Sequence, residues 1–139
     1  MDRSAFSVRN LTIAAFVMDL VHDLDHVRRG NYSPVPVRSL GFVALAGGIL
    51  AVVLVLRRIR FAVPFAAFYG FASGIGFFAV HVLPHWGAIS DPLTTYHVDA
   101  LTWLIVALTM AVDLMLGIVA ARELTGSRRP RDLRAPAAT

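Results

Sequence analysis

The chain has 139 residues, of which 57% are hydrophobic and only 16% are charged, with five histidines, no cysteine and a formal net charge of +4. A soluble domain is nearer a quarter charged, so this composition predicts a membrane protein. The lack of cysteine excludes disulfides, thiolate nucleophiles and cysteine-ligated metal sites. All thirteen basic residues are arginines that flank apolar runs, as topology signals do, so the positive charge does not indicate nucleic-acid binding.

The first predicted segment, Leu11–Val27, is apolar only in its first half, because its second half reads DLVHDLDHV. A helix needs about 20 mostly apolar residues to cross a membrane, with a lower limit of about 17. We expect this segment to span, with its polar residues facing the interior of a helix bundle. The alternative is an amphipathic helix that lies on the membrane surface.

Three further segments, Leu40–Leu56, Phe61–Leu83 and Tyr96–Ala121, are long and apolar enough to span. Short connections rich in arginine, glycine and proline separate them. In the last connection, Asp91 followed by Pro92 is typical of a helix start, with the aspartate as N-cap and the proline at the first helical position. The fourth helix is therefore predicted to begin outside its apolar core.

Small residues at four-residue spacing predict close packing between these helices. Gly70 and Gly74 form one such pair in the third segment, and Ala44 and Gly48 form another in the second. Pairs of this kind let helix backbones approach each other within a membrane.

The four segments predict one all-α domain over residues 1–124, a four-transmembrane-helix bundle, followed by a disordered cytoplasmic tail over residues 125–139. Ten of the thirteen arginines fall on one side of this topology, so both termini are predicted to be cytoplasmic. If the first segment lies on the surface, the protein has three spans and an N-terminal interfacial helix, with the same orientation. Either topology makes it a multi-pass protein of the cell membrane.

This topology gathers all five histidines and four acids at the non-cytoplasmic end of the bundle. Ionisable groups inside a membrane are costly and usually serve a function. On the first helix Asp19, His22, Asp23 and His26 form one stripe, at i, i+3, i+4 and i+7. Asp25 lies off that stripe but three residues from His22, and the alternative interpretation of Asp25 is a solvated residue at the helix end. The gathered residues are Asp19, His22, Asp23, Asp25, His26, His81, His85, His97 and Asp99.

We predict that this cluster binds a transition metal. Mixed sets of imidazoles and carboxylates suit zinc or iron, whereas a haem needs one or two axial histidines and leaves the acids unexplained. Asp19 is the deepest member, and an unpaired aspartate at the bilayer centre costs about 2.5–3.5 kcal/mol, so it should have a partner. Two members have a simpler interpretation, His26 as a solvated residue and His85 as an interfacial one. The predicted ligands are His22, His26, His81, His85, His97, Asp19, Asp23 and Asp99.

Asp113 is predicted to stand apart from this site, because it lies about 21 Å along the fourth helix from Asp99. It could pair with Arg9, Arg57 or Arg58 near the cytoplasmic edge. The alternative is a second station on a path for protons or cations.

Three classes of function stay open. A metal-dependent enzyme could act on a lipid-like or small apolar substrate, by hydrolysis with zinc or by oxidation with an iron pair. A transporter could move cations or protons, with Asp113 as its inner station. A non-catalytic subunit of a larger membrane complex could hold a metal or a haem. The expected partners are the lipid bilayer and either another membrane protein or a second copy of the chain, not nucleic acid.

Overall fold

The computed structural model describes residues 7–30 and 33–126, and within them the fold is all-α with four long helices, as predicted. A one-turn π-helix over Phe78–Val82 continues the third helix, and a 3₁₀ turn over Leu93–Thr95 precedes the fourth. The last helix includes residues 125 and 126, and the rest of the predicted tail lies outside the described residues. The long helices are α1 (Val8–Arg28), α2 (Val35–Leu56), α3 (Ala62–Phe77) and α4 (Ala100–Gly126).

Three helical runs, Val35–Leu56, Ala62–Val82 and Ala100–Gly126, are long and apolar enough to cross a membrane. They correspond to the three apolar segments of the sequence. Helix α1 has 21 residues and therefore the length of a span, but its acids and arginines keep it out of this set.

Helix α1 runs antiparallel to α4 as a member of the bundle. The hydroxyl of Thr109 donates to the carbonyl of Met18 at 3.4 Å, and the hydroxyl of Thr102 donates to the carboxylate of Asp25 at 2.8 Å. Each pair of positions on one helix is seven residues apart, so the two helices stay in contact over about 10 Å. This lengthwise contact makes α1 a packed member of the bundle.

Glycines let α3 and α4 pack closely, which confirms the predicted role of Gly70 and Gly74. A Cβ added at Gly70 would lie 2.5 Å from the backbone nitrogen of Gly117, and one at Gly74 would lie 2.7 Å from Leu114. The apolar core lies at the end of the bundle away from the histidines. Its fully buried members are small or compact residues: Ala15, Ala51, Ala66, Leu116 and Ala120.

The predicted start of the fourth helix is wrong. Helix α4 begins at Ala100, and the carboxylate of Asp99 accepts a hydrogen bond from the backbone nitrogen of Thr102 at 3.0 Å, as an N-cap does. Asp91 is not a cap, because the short turn after it has Pro92 at its N-cap position and no side-chain cap hydrogen bond. The Asp91 carboxylate instead accepts a hydrogen bond from the hydroxyl of Ser33 at 2.5 Å. The turn that follows Asp91 ends in extended backbone before α4 begins.

The π-helix forms where the third helix approaches a proline. The backbone nitrogen of Leu83 donates to the carbonyl of Phe78 at 3.2 Å, and Leu83 itself is extended, as residues before proline usually are. The backbone nitrogen of Asp91 donates to the carbonyl of Val80 at 2.8 Å. The chain after Pro84 therefore folds back onto the wide turn that carries His81.

Candidate metal centre

Three histidines form a compact group between α1 and the end of the third helix. His22 and His26 lie one turn apart on α1, and His81 lies on the π-helix. One ligand nitrogen from each ring lies within 4.8 Å of those of the other two. The ring centroids are 4.6 Å apart for His22 and His26, and 4.9 Å apart for His22 and His81. This group is the part of the predicted cluster that could hold a metal ion.

Two of these rings have, at Nδ1, a hydrogen-bond partner that does not belong to the group. Nδ1 of His81 lies 3.1 Å from the carbonyl oxygen of Asp91, which can only accept, so Nδ1 carries the proton. Nδ1 of His26 lies 3.0 Å from Oγ of Ser33, whose hydrogen goes to Asp91. The guanidinium group of Arg29 also lies 3.2 Å from Nδ1 of His26, where it would donate to the unprotonated nitrogen. A metal ion on Nε2 of His26 would instead leave the proton on Nδ1, which then donates to Ser33. Outer partners of this kind orient metal-binding histidines.

His22 is the polar side chain of this group that the fold leaves unsatisfied. It is 4% exposed, and within the described part of the chain neither of its ring nitrogens has a hydrogen-bond partner. Asp23 is the nearest acid, with Oδ1 3.7 Å from Nδ1 of His22 and a side chain that is half exposed. Buried polar atoms are nearly always paired in proteins, and leaving one unpaired costs about 1–3 kcal/mol. The unmet hydrogen-bonding capacity of the buried His22 ring therefore points to a ligand.

Asp19 has a hydrogen-bond partner, as we predicted for an aspartate within an apolar bundle. The hydroxyl of Tyr69, on α3, donates a hydrogen bond to one carboxylate oxygen, and the other oxygen has no partner among the described residues. Asp19 lines the same cavity as the three histidines without belonging to the metal-binding group. Tyr69 was not among the predicted site residues, although a single tyrosine within the apolar third segment was the available signal.

The structure does not bring the other predicted ligands into the group. His85 is exposed, with Nδ1 3.0 Å from Oγ of Ser90, and His97 is exposed before α4. Asp99 binds Arg28 through two hydrogen bonds of 2.8 and 3.0 Å. These hydrogen bonds from Arg28 hold the pKa of Asp99 well below its usual range.

The alternative interpretation of Asp25 as a solvated residue does not hold. It is 3% exposed, and its carboxylate accepts hydrogen bonds from Arg28 at 2.8 Å, Arg29 at 2.9 Å and Thr102 at 2.8 Å. The two arginines stand three and four residues after Asp25, a spacing at which helical side chains meet, whereas the contact with Thr102 depends on how α4 packs against α1. We call Asp25, Arg28, Arg29, Asp99 and Thr102 the ion-pair cluster; it joins the end of α1 to the start of α4.

Asp113 does not pair with Arg9, Arg57 or Arg58. It is fully buried, and neither of its carboxylate oxygens has a hydrogen-bond partner within residues 7–30 and 33–126. The acid that acts on it electrostatically is Asp19. Asp113 is far from Asp99 along α4, but its nearest acid of consequence is on a neighbouring helix, a relation that spacing along one helix does not display.

A cavity of about 630 Å³ adjoins the three histidines, between the second half of α1, the first half of α2 and the third helix. No protein-family model matches this chain, and no curated protein or solved structure proved similar to it. Its function has to be inferred from the histidine group and this cavity.

Proposed function

We propose that this protein is an integral membrane metalloprotein that binds one zinc ion through His22, His26 and His81. The observation that carries the proposal is the buried, unpartnered imidazole of His22 beside two histidines with outer hydrogen bonds. Zinc–nitrogen bonds are about 2.0–2.1 Å, so shifts below about 1 Å per ring would close the group onto one ion. Iron is the alternative ion for such a set.

The outer partners suggest which nitrogens bind. Nδ1 of His81 and Nδ1 of His26 already have the carbonyl of Asp91 and Oγ of Ser33. Asp23 stands in the equivalent position towards Nδ1 of His22, at 3.7 Å. We assign the three Nε2 atoms to the metal and these groups to the orientation of the rings.

We further propose that the metal is catalytic and acts on a lipid-like substrate. Catalytic zinc sites use three protein ligands and keep a fourth position for water, whereas structural sites use four. The histidines also line a cavity that is otherwise largely apolar. A bound zinc ion supplies a water with a pKa near about 7, which suits hydrolysis. Oxidation by an iron pair is less well supported, because the group offers ligands for one ion.

We place the protein in the cell membrane with four spans and both termini in the cytoplasm. The lengthwise contact of α1 with α4 supports a fourth span, since a helix flat on the surface would cross α4 rather than run along it. The excess of arginines near the ends and at the α2–α3 turn supports the orientation. The metal centre then lies towards the non-cytoplasmic side.

Elemental analysis of the purified protein tests the metal centre. We expect about one zinc ion per chain in the wild type and in His97→Ala, which removes an exposed histidine outside the group. His22→Ala and His81→Ala should lose most of it. A metal-free wild type that takes up no zinc in titration would refute the site, and a Soret band would show haem instead.

A second candidate, proton or cation movement, draws on the buried acids Asp19 and Asp113, which have three carboxylate oxygens without partners among the described residues. Proteoliposomes with an internal pH dye test it. Asp113→Asn should abolish the flux, and His22→Ala should preserve it, if transport is the function. The reverse sensitivity, or no flux, favours the metal enzyme. A zinc-loaded chain that purifies with a stoichiometric membrane protein would instead indicate a subunit.

A further inference from the structure

The cavity beside the histidines has the shape of a long groove. Along the third helix its lining extends from Phe65 to His81, which corresponds to about 24 Å of helix. One leaflet of a bilayer's hydrocarbon core is about 15 Å thick. The groove is therefore long enough to hold a lipid chain from end to end.

Aromatic and aliphatic side chains form most of the groove, and its long side is open between α2 and α3. Phe42 and Phe68 both line it while being 73% and 67% exposed. Added Cβ atoms at Gly41 and Gly76 would meet nothing within 4 Å. If these helices span, the opening faces the bilayer, so a chain can enter sideways without crossing water.

Helices α2 and α3 meet at one point along the groove, where an added Cβ at Gly47 would lie 3.4 Å from the ring of Tyr69. This contact limits the room for a second acyl chain at that point. Its volume of about 630 Å³ lies within the usual range of about 300–1,000 Å³ for ligand pockets.

One end of the groove is polar and carries an available positive charge. Arg38 lines it near the three histidines and is exposed. Arg28 and Arg29 form ion pairs with Asp25 and Asp99, but no carboxylate of the described chain lies in ion-pair range of Arg38. A guanidinium group binds phosphate or carboxylate oxygens through paired hydrogen bonds.

We propose that the groove binds a single-chain anionic lipid from the bilayer, with its headgroup at Arg38 and its acyl chain along Phe42, Phe65 and Phe68. This assignment rests on the proposed function, because it names the substrate class of the same metal centre. The linkage between headgroup and chain then lies beside His22, His26 and His81, where the metal would act. Arg38 at the polar end selects an anionic headgroup, and the aromatic side chains along the groove contact the acyl chain.

Native mass spectrometry of the detergent-solubilised full chain tests this proposal, with oleoyl lysophosphatidylglycerol as the anionic probe and monoolein as the uncharged probe with the same acyl chain. We expect one lysophosphatidylglycerol per wild-type chain and weaker binding of monoolein. Gly41→Leu and Gly76→Leu should weaken both by about tenfold or more, because their side chains occupy the groove. Ala46→Leu, an exposed position of α2 outside the lining, is the matched control and should bind as the wild type does.

Arg38→Gln isolates the headgroup contact. It should reduce the preference for the anionic probe about tenfold, because the charged donor to the headgroup is lost. Monoolein binding should be unchanged, because its headgroup carries no charge. Equal wild-type affinity for the two probes would overturn the charge assignment. Equal binding by Gly41→Leu, Gly76→Leu and Ala46→Leu would overturn the groove.

Zinc content measured on the same samples separates this proposal from the proposed function. Gly41→Leu should keep its zinc while it loses the lipid, since Gly41 is not a ligand. If the wild type contains no zinc but binds the lipid, and Gly41→Leu weakens that binding, the metal centre is refuted and the groove is supported. Zinc-loaded wild type that binds neither probe would refute the groove alone.

Discussion

Two polar clusters lie side by side at one end of α1, and they differ in how fully the protein satisfies them. In the ion-pair cluster, Asp25 accepts three hydrogen bonds and Asp99 binds Arg28 through both oxygens. In the histidine group, the buried ring of His22 has no hydrogen-bond partner among the described residues. Both clusters place ionisable groups where they are costly. The difference teaches that buried polar atoms without hydrogen-bond partners, rather than the number of ionisable residues, mark the candidate site.

The largest expected effect comes from breaking the satisfied cluster. Asp25→Ala leaves Arg28 and Arg29 without their shared partner, and we expect it to lower the free energy of unfolding by about 2–3 kcal/mol. This is below the 3–5 kcal/mol typical of a fully buried pair, because the Arg28 side chain is 43% exposed. Denaturation in mixed detergent micelles measures it. Zinc per folded chain should stay constant, and a parallel loss of zinc would show that the two clusters are one site.

Zinc itself should stabilise the histidine group and not the ion-pair cluster. At a free zinc concentration of about one hundred times the dissociation constant, the wild type should gain about 2.7 kcal/mol of unfolding free energy. His81→Ala should gain almost nothing, whereas Asp25→Ala should gain as much as the wild type from its lower starting point. Thermal unfolding with and without a chelator measures these gains. An equal gain in His81→Ala would indicate that zinc binds elsewhere.

A smaller effect is expected from the outer partner of His26. Ser33→Ala removes the oxygen that accepts from Nδ1 of His26 and leaves Arg29 as the competing contact. We expect zinc affinity to fall by about tenfold, at the lower end for loss of an outer partner. Competition with a fluorescent chelator measures the affinity. Ser39→Ala is the control, because within the described residues the Ser39 hydroxyl donates only to the backbone carbonyl of Val35 in its own helix; an equal loss there would contradict the assigned role.

The smallest effect should come from Asp19→Asn. The amide oxygen still accepts the hydrogen bond from Tyr69 and the like charge near Asp113 disappears, so stability should change by less than about 1 kcal/mol or rise slightly. Zinc content should be unchanged, because Asp19 lies outside the three-histidine group. Elemental analysis and detergent unfolding on the same preparation check both statements. Loss of zinc would make Asp19 a fourth ligand.

Much of the architecture follows from hydropathy, because apolar length and arginine placement are local properties of the sequence. The three apolar segments became three candidate spans, and the spacing of His22 and His26 placed both on one face of α1. The burial of His81, one turn before His85, also agrees with its place in the apolar segment. These features depend on periodicity along one helix, which the sequence displays directly.

The partners of those residues could not be predicted, since they depend on how separate elements meet. Ser33 and Asp91 come from connections without periodicity. Ser33 reaches His26 from the α1–α2 connection, and Asp91 reaches His81 because the chain after Pro84 folds back. Helix α4 starts nine residues after Asp91, at Ala100, which placed Asp99 at an N-cap rather than in the group. The burial of Asp25 likewise required α4 to cover the end of α1.

The metal ligands are divided between the first helix and the end of the third, a separation that has a consequence for biogenesis. During synthesis His22 and His26 emerge long before His81, so no stage with fewer than three helices can offer all three imidazoles. Zinc captured by this chain would therefore mark a molecule whose insertion has progressed beyond the third helix. Stalled nascent chains that end before and after His81 should differ sharply in zinc retention.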